Sequence, residues 1–345
     1  VAHLDLGGRL MTATRVRLVT FVVVAVLTMG GALGYLLLAA RGASTVKAPT
    51  SATSPSAAPD TRGDYIAFRR TVADQGYGTV GTVPLADPGA TPSRSDLQCE
   101  RVHMSRRGGI CLQVDRSAVT TARVLLLGPD LSVRYSLATP GIPNRARVSP
   151  DGRWAATTTF VVGHSYSQGG FSTQTEIYDM ESGTSLGNVE KFSFTRHARP
   201  FHAKDINVWG VTFAPGGTSF YATVMTGSTR HLAKGDIRDR TLALLDVAAE
   251  CPSLSPSGKL LAYKSATGPT TWEVKVRTLA DGRERVVQSP RSVDDQIEWL
   301  DEGHVMFGLA PVGGGATSDV WVSPSDGSGP AEVLIPGAWS PAVVR

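Results

Sequence analysis

One hairpin is written several times along this chain, and that repetition constrains the fold more than any other feature. The text "VSPDGRWAATTTF" fills residues 148–160, "FAPGGTSFYATVM" begins at Phe213, and "LSPSGKLLAYKS" begins at Leu254. Each reads as a strand end, a tight turn and a second strand. The turn chemistry has a cause. Proline fixes φ near −65°, Asp or Ser bonds its own backbone, and glycine takes φ > 0 without a Cβ clash. Aligned on the residue that opens the turn, the registers are Ser105, Ser149, Ala214, Ser255, Leu300 and Ser340. The steps are 44, 65, 41, 45 and 40 residues, four of them close to one blade of a β-propeller. The preceding residues, Met104, Val148, Phe213, Leu254, Trp299 and Trp339, are all large and apolar. Runs such as "ICLQV" and "HVMFGL" follow the turns and are rich in strand-forming residues.

The last register tests the reading. "AWSP" at 338–341 is followed by only "AVVR", and the missing half of the unit stands at the other end, in "GDYIAF" from Gly63 to Phe68. A radial array must leave no open sheet edge, so the carboxyl-terminal strand is expected to complete a blade whose outer strands come from residues 65–96. The expectation is an all-β, six-bladed propeller over 63–345, closed by its two ends.

"VSPDGRWAA", "LSPSGKLLAYKS", "TEIYDMESG" and "SDVWVSPSDGSG" resemble the repeats of TolB-type propellers across essentially all of 63–345. The resemblance implies an exported protein that binds other proteins, often without catalysis. The periplasmic protein that names that family carries an amino-terminal α/β domain that handles its partners. Here a different segment stands in its place, so those partners do not transfer.

That segment is "RVRLVTFVVVAVLTMGGALGYLLLAARG". Its uncharged run, residues 18–40, reaches about 34 Å as a helix, enough for a bilayer core of about 30 Å. Its length and the poor cleavage site at Ala40-Arg41-Gly42 favour an uncleaved signal anchor over a cleaved signal. No Cys lies in it, which excludes a lipid-anchored lipoprotein. Arg9, Arg15 and Arg17 precede the span, which puts residues 1–17 in the cytoplasm by a thin margin, thinner if translation starts at Met11. Residues 41–62 are rich in Ser, Thr, Pro and Ala and form a linker without the apolar bulk to fold. The expected location of the propeller is therefore the extracytoplasmic side of the cell membrane.

Charge excludes one class of partner. The chain carries a formal net charge of +4, but from Gly63 onward 28 basic residues meet 28 acidic ones. A neutral body lacks the basic footprint that nucleic acid requires. No G-x-S-x-G, P-loop, dinucleotide fingerprint or C-x-x-C occurs, so no cofactor is expected. Cys99 and Cys111 flank the first hairpin and are the expected disulfide of an exported domain, with Cys251 left over between blades. His197, His202 and Asp205 do not specify a ligand geometry and have Arg196, Arg199 and Lys204 beside them, so no metal is expected; Asp294 and Asp295 read as a solvated loop.

Loop length carries the functional expectation. The Ser-Pro-Asp-Gly-like turns are short. The long segments are Gly163–Thr173, Thr195–Asn207, Ser265–Thr271, Pro290–Gln296 and Ala310–Ser318, and blade alternation puts them on the opposite face. The 65-residue step places two of them in the second blade. Tyr166, Phe171, His197, Arg199, Phe201 and His202 then form a candidate recognition patch of aromatic and basic character. The sequence thus points to a binding module for a protein or an envelope polymer. The alternative is an envelope hydrolase or lyase, acting on glycan or peptide, with two titratable groups at the central channel.

Overall fold

In the computed structural model, six sheets, each built on four antiparallel strands, stand around one axis in chain order. Their inner strands are Arg101–Ser105, Ile142–Val148, Asn207–Phe213, Glu250–Leu254, Glu298–Trp299 and Ala338–Val344. We number the blades 1 to 6 in that order. The structure describes residues 60–116, 121–161, 172–313, 315 and 317–345. These belong to one unit, Pro55–Arg345, while Val1–Ser54, with the expected membrane span at 18–40, lies outside the described residues. Among the described residues no helix is long and apolar enough to cross a membrane.

Blade 6 is closed as the sequence requires. Ala338–Val344 pairs antiparallel with Tyr65–Arg70, in the register Tyr65 with Val344 and Arg70 with Ala338. Thr79–Pro84 and Ser93–Gln98 complete that sheet. The sixth register moves, however. The chain does not turn at Ser340; the strand continues to Val344 through a bulge in which Ser340 has φ 54°. Trp339-Ser340-Pro341 imitates the turn text, but pairing with Tyr65 puts the blade's true register at Arg345.

The repeated turn works as its chemistry dictates. In blade 2 the buried Ser149 hydroxyl accepts from Trp154 N (2.9 Å) and donates to Asp151 (2.5 Å), which also accepts from Arg153 N (3.1 Å). In blade 4, Ser255 accepts from Leu260 N (3.2 Å). Gly152 has φ 70° and is crowded as well, because a Cβ there would lie 2.6 Å from Cβ of Arg107 in blade 1. Glu302 of blade 5 accepts from Ser257 N of blade 4 (2.5 Å). The short turns therefore stabilise one another around one rim.

Packing explains why "YIAF" has no polar face. Side chains alternate along a strand, and both faces of every blade are covered. Tyr65 and Ala67 enter the cluster shared with blade 1, whereas Ile66 and Phe68 enter the one shared with blade 5. The same division sends Cys111 one way and Ile110 and Leu112 the other. Each of six apolar clusters lies between neighbouring blades. Cys99 and Cys111 are disulfide-bonded within the cluster between blades 6 and 1.

Two loop expectations are corrected. Thr195–Asn207 is not a loop of blade 2: Ser193–Arg196 and Arg199–Phe201 form a hairpin added to the outer edge of blade 3, parallel to Thr241–Leu244. Ser265–Thr271 is almost all strand, within Leu260–Gly268 and the start of Thr271–Thr278. Cys251 lies on the inner strand of blade 4, not between blades.

Candidate functional site

The residues two places before each turn face the axis. Five are polar, His103, Arg147, Thr212, Ser253 and Glu298, and the corrected sixth register adds the apolar Val343. Arg147 of blade 2 reaches across the channel. Its Nη1 donates to Glu298 of blade 5, and its Nη2 donates to Ile297 O (2.8 Å) and Ser253 Oγ (3.3 Å). Nδ1 of His103 accepts from Val148 N (3.1 Å), and its Nε2 lies 3.0 Å from Arg147 Nη1 and 3.4 Å from Glu298. Val343 N adds a long bond to Glu298 (3.4 Å). Five inner strands are thus tied at one level.

Burial and neighbouring charge set the protonation preferences of Glu298 and His103. Burial alone would raise the carboxyl of Glu298, but Arg147 and His103 hold it down to about 2. Burial pushes His103 below its usual range; Glu298 opposes this and Arg147 reinforces it. The hub therefore favours an ionised carboxylate beside an imidazole whose protonation is disfavoured.

Above the hub the channel opens on the short-turn rim as a depression of about 230 Å³. Its walls include Phe213, Pro150, Pro215 and Pro256, with Arg106 and Arg345 at its edge. Ser105, Ser149 and Ser255 also line it, but each hydroxyl is engaged within its own turn. On the other side of the hub lies a second polar layer. Arg101 pairs with Asp295 (2.5 Å), Lys264 with Asp294 (2.6 Å), and Arg145 Nε with Cys251 Sγ (3.4 Å). Asp295 is buried in this layer, whereas Asp294 stays solvent-exposed on its loop, as expected, and pairs with Lys264 from there.

Tyr166 and Phe171 lie outside the described residues. Of the other four patch residues, His197, Arg199 and Phe201 stand on the added hairpin at the outer edge of blade 3, and His202 follows it directly. His197 forms its turn with φ 50° and bonds Asp246 (2.7 Å), which Arg196 also holds (3.0 Å). Phe201 is half-buried against the cluster of blades 2 and 3, while Arg199 and His202 are exposed. The hairpin carries three of them far out from the axis in sheet order. Asp205 is occupied by Thr226 Oγ1 (2.8 Å) and Gly227 N (2.6 Å). Among the described residues no group of three His, Cys, Asp or Glu is placed to hold a metal.

The hub escapes motif reading because its members share no residue type. The signal that finds it is positional, two residues before each turn.

No family model and no curated protein matches this chain. Solved structures do. TolB from Acinetobacter baumannii is similar at 14% identity and TM-score 0.58, over 82% of this chain and 67% of that one. A TolB candidate from Agrobacterium tumefaciens is 13% identical at TM-score 0.48, over 80% of this chain and 90% of that one. A puromycin-hydrolysing peptidase of Mycobacterium tuberculosis is 11% identical at TM-score 0.49, over 79% of this chain and 44% of that one. The fold is that of TolB-type six-bladed propellers.

Proposed function

We propose that this TolB-like propeller is a non-catalytic binding module, held outside the cell by the span at 18–40, and that it takes a segment of a partner protein into the short-turn mouth of its channel. The observation that carries the reading is the closed hub. A hydrolase or lyase needs an acid and a base free to exchange protons near the working pH. Glu298 is held toward its ionised form, protonation of His103 is disfavoured, and inside the channel Arg147 engages both while Val148 N engages His103. What remains accessible is a mouth with proline and aromatic walls and arginines at the edge, suited to a short apolar tip beside acidic residues. The disulfide supports an oxidising compartment, and the uncharged run at 18–40 supports the tether. The reading departs from the long-loop patch, because Phe201 is engaged in packing.

Photocrosslinking from intact membranes tests it, with the probe placed at Pro256 or at Arg199. Crosslinks to one protein from the Pro256 position, lost when Pro215→Arg blocks the mouth, are expected. Crosslinks from the Arg199 position alone, abolished by His202→Ala, would move the binding surface to the outer hairpin.

A further inference from the structure

The opposite end of the channel holds a second cavity, of about 210 Å³, that the binding reading above does not use. Arg69 and Arg101 line it together with Glu100, Pro143 and Trp339. Both guanidiniums are nearly buried, with side chains 11% and 12% exposed. Each is held in place from behind. Arg69 donates Nε to Cys99 O (2.8 Å) and lies over the Tyr77 ring at 4.8 Å. Arg101 donates Nη1 to Asp295 (2.5 Å) and lies over the Trp339 ring at 5.2 Å. Asp295 is fully buried and is fixed in turn by Gly308 N (3.0 Å). These bonds leave Nη1 of Arg69, and Nε and Nη2 of Arg101, without a protein acceptor among the described residues.

Charge at this end is unbalanced in one direction. Glu100 is shared between Arg69 (3.4 Å) and Arg116 (2.7 Å), and Asp294 between Lys264 (2.6 Å) and Arg145 (3.6 Å). One carboxylate between two cations, twice over, leaves a positive excess around a polar cavity with low-dielectric walls. Such a cavity focuses field on an anion. Burial also lowers the affinity of Arg101 for its proton, beyond what Asp295 restores, so a further negative group would stabilise its charge.

We propose that this cavity is a binding site for an oxyanion, a carboxylate or phosphate group that bridges Arg69 and Arg101. Two guanidinium forks fixed on aromatic rings match the planar, multiply accepting geometry of such groups. The volume suits the anionic end of a ligand about the size of citrate. Thr71 Oγ1 and the Ser318 backbone, bonded to each other at 2.9 Å, close one side.

The test is calorimetric titration of the full chain, in mild detergent at low salt, with citrate and separately with inorganic phosphate. One site is expected for at least one probe, and the preferred probe identifies the group as carboxylate or phosphate. Arg69→Gln is expected to weaken that binding about tenfold or more, since a charge-assisted bond is lost. The paired change Arg101→Gln with Asp295→Asn does the same without stranding a buried carboxylate, and Arg199→Ala leaves binding unchanged. No heat from either probe up to about 10 mM, or unaltered binding by both Arg69→Gln and the Arg101/Asp295 pair, overturns the proposal.

Discussion

Arg147 and Glu298 show what a single pair of side chains does in this ring. Breaking a buried ion pair strands its partner, so Glu298→Gln or Arg147→Met should cost about 3–5 kcal/mol in chemical denaturation. The pH dependence has a definite sign. The carboxyl of Glu298 lies near 2 in the folded chain against 4.5 for the free group, so between those values the unfolded state binds the extra proton. Its stabilisation is full above about pH 4.5 and is lost as pH falls toward 2. Glu190 runs the opposite way. It accepts from Thr175 N (3.1 Å) and Val208 N (3.2 Å), joining blades 2 and 3, yet burial pushes its carboxyl up to about 8. The stability it contributes is present below about pH 4.5 and lost as pH rises toward 8. Urea midpoints measured from pH 3 to 9 should therefore fall at both ends. Glu298→Gln should flatten the acid limb and Glu190→Gln the alkaline one.

Turns and strands differ in how far their causes lie along the chain, and this decides which of them were legible. The hairpins at Ser149 and Ser255 could be read because Ser, Pro and Gly act within a few residues. The closing strand could be read because half a unit was missing at each end. The hairpin Ser193–Phe201 could not, since its pairing is parallel to Thr241–Leu244, far along the chain. Trp339-Ser340-Pro341 misled because the same three residue types serve a bulge inside a strand. The hub residues were hidden for another reason: Arg, His, Glu, Thr, Ser and Val share only a position. At this scale two glycines make a matched pair. Gly152 and Gly216 both have φ 70°, but a Cβ at Gly152 meets Arg107 while at Gly216 it meets open space. Gly216→Ala should cost about 1 kcal/mol, from backbone conformation alone. Gly152→Ala should cost distinctly more in the same urea titration, and equal costs would mean that the rim contact contributes nothing. Replacing Cys99 and Cys111 with serine removes a crosslink across a 12-residue separation and should lower stability by about 3 kcal/mol, read from the same midpoints.

The ring as a whole depends on one seam. Ala338–Val344 pairs with Tyr65–Arg70, and without it the inner edge of Tyr65–Arg70 would be bare and blades 5 and 6 would face each other across a gap. A chain ending at Gly337 should lose its cooperative thermal transition and associate through the exposed edge, as size-exclusion chromatography would register. The apolar interior has a further consequence. It is divided into six private partnerships, each known only to two adjacent wedges. An apolar substitution between two wedges has to be reconciled with those wedges alone, and only the polar layers at the axis join distant parts of the circle. Drift can then accumulate independently around the circumference, and new segments such as the hairpin on blade 3 can be grafted at the outside without disturbing the hub. That freedom accounts for a shared architecture persisting at 14% identity.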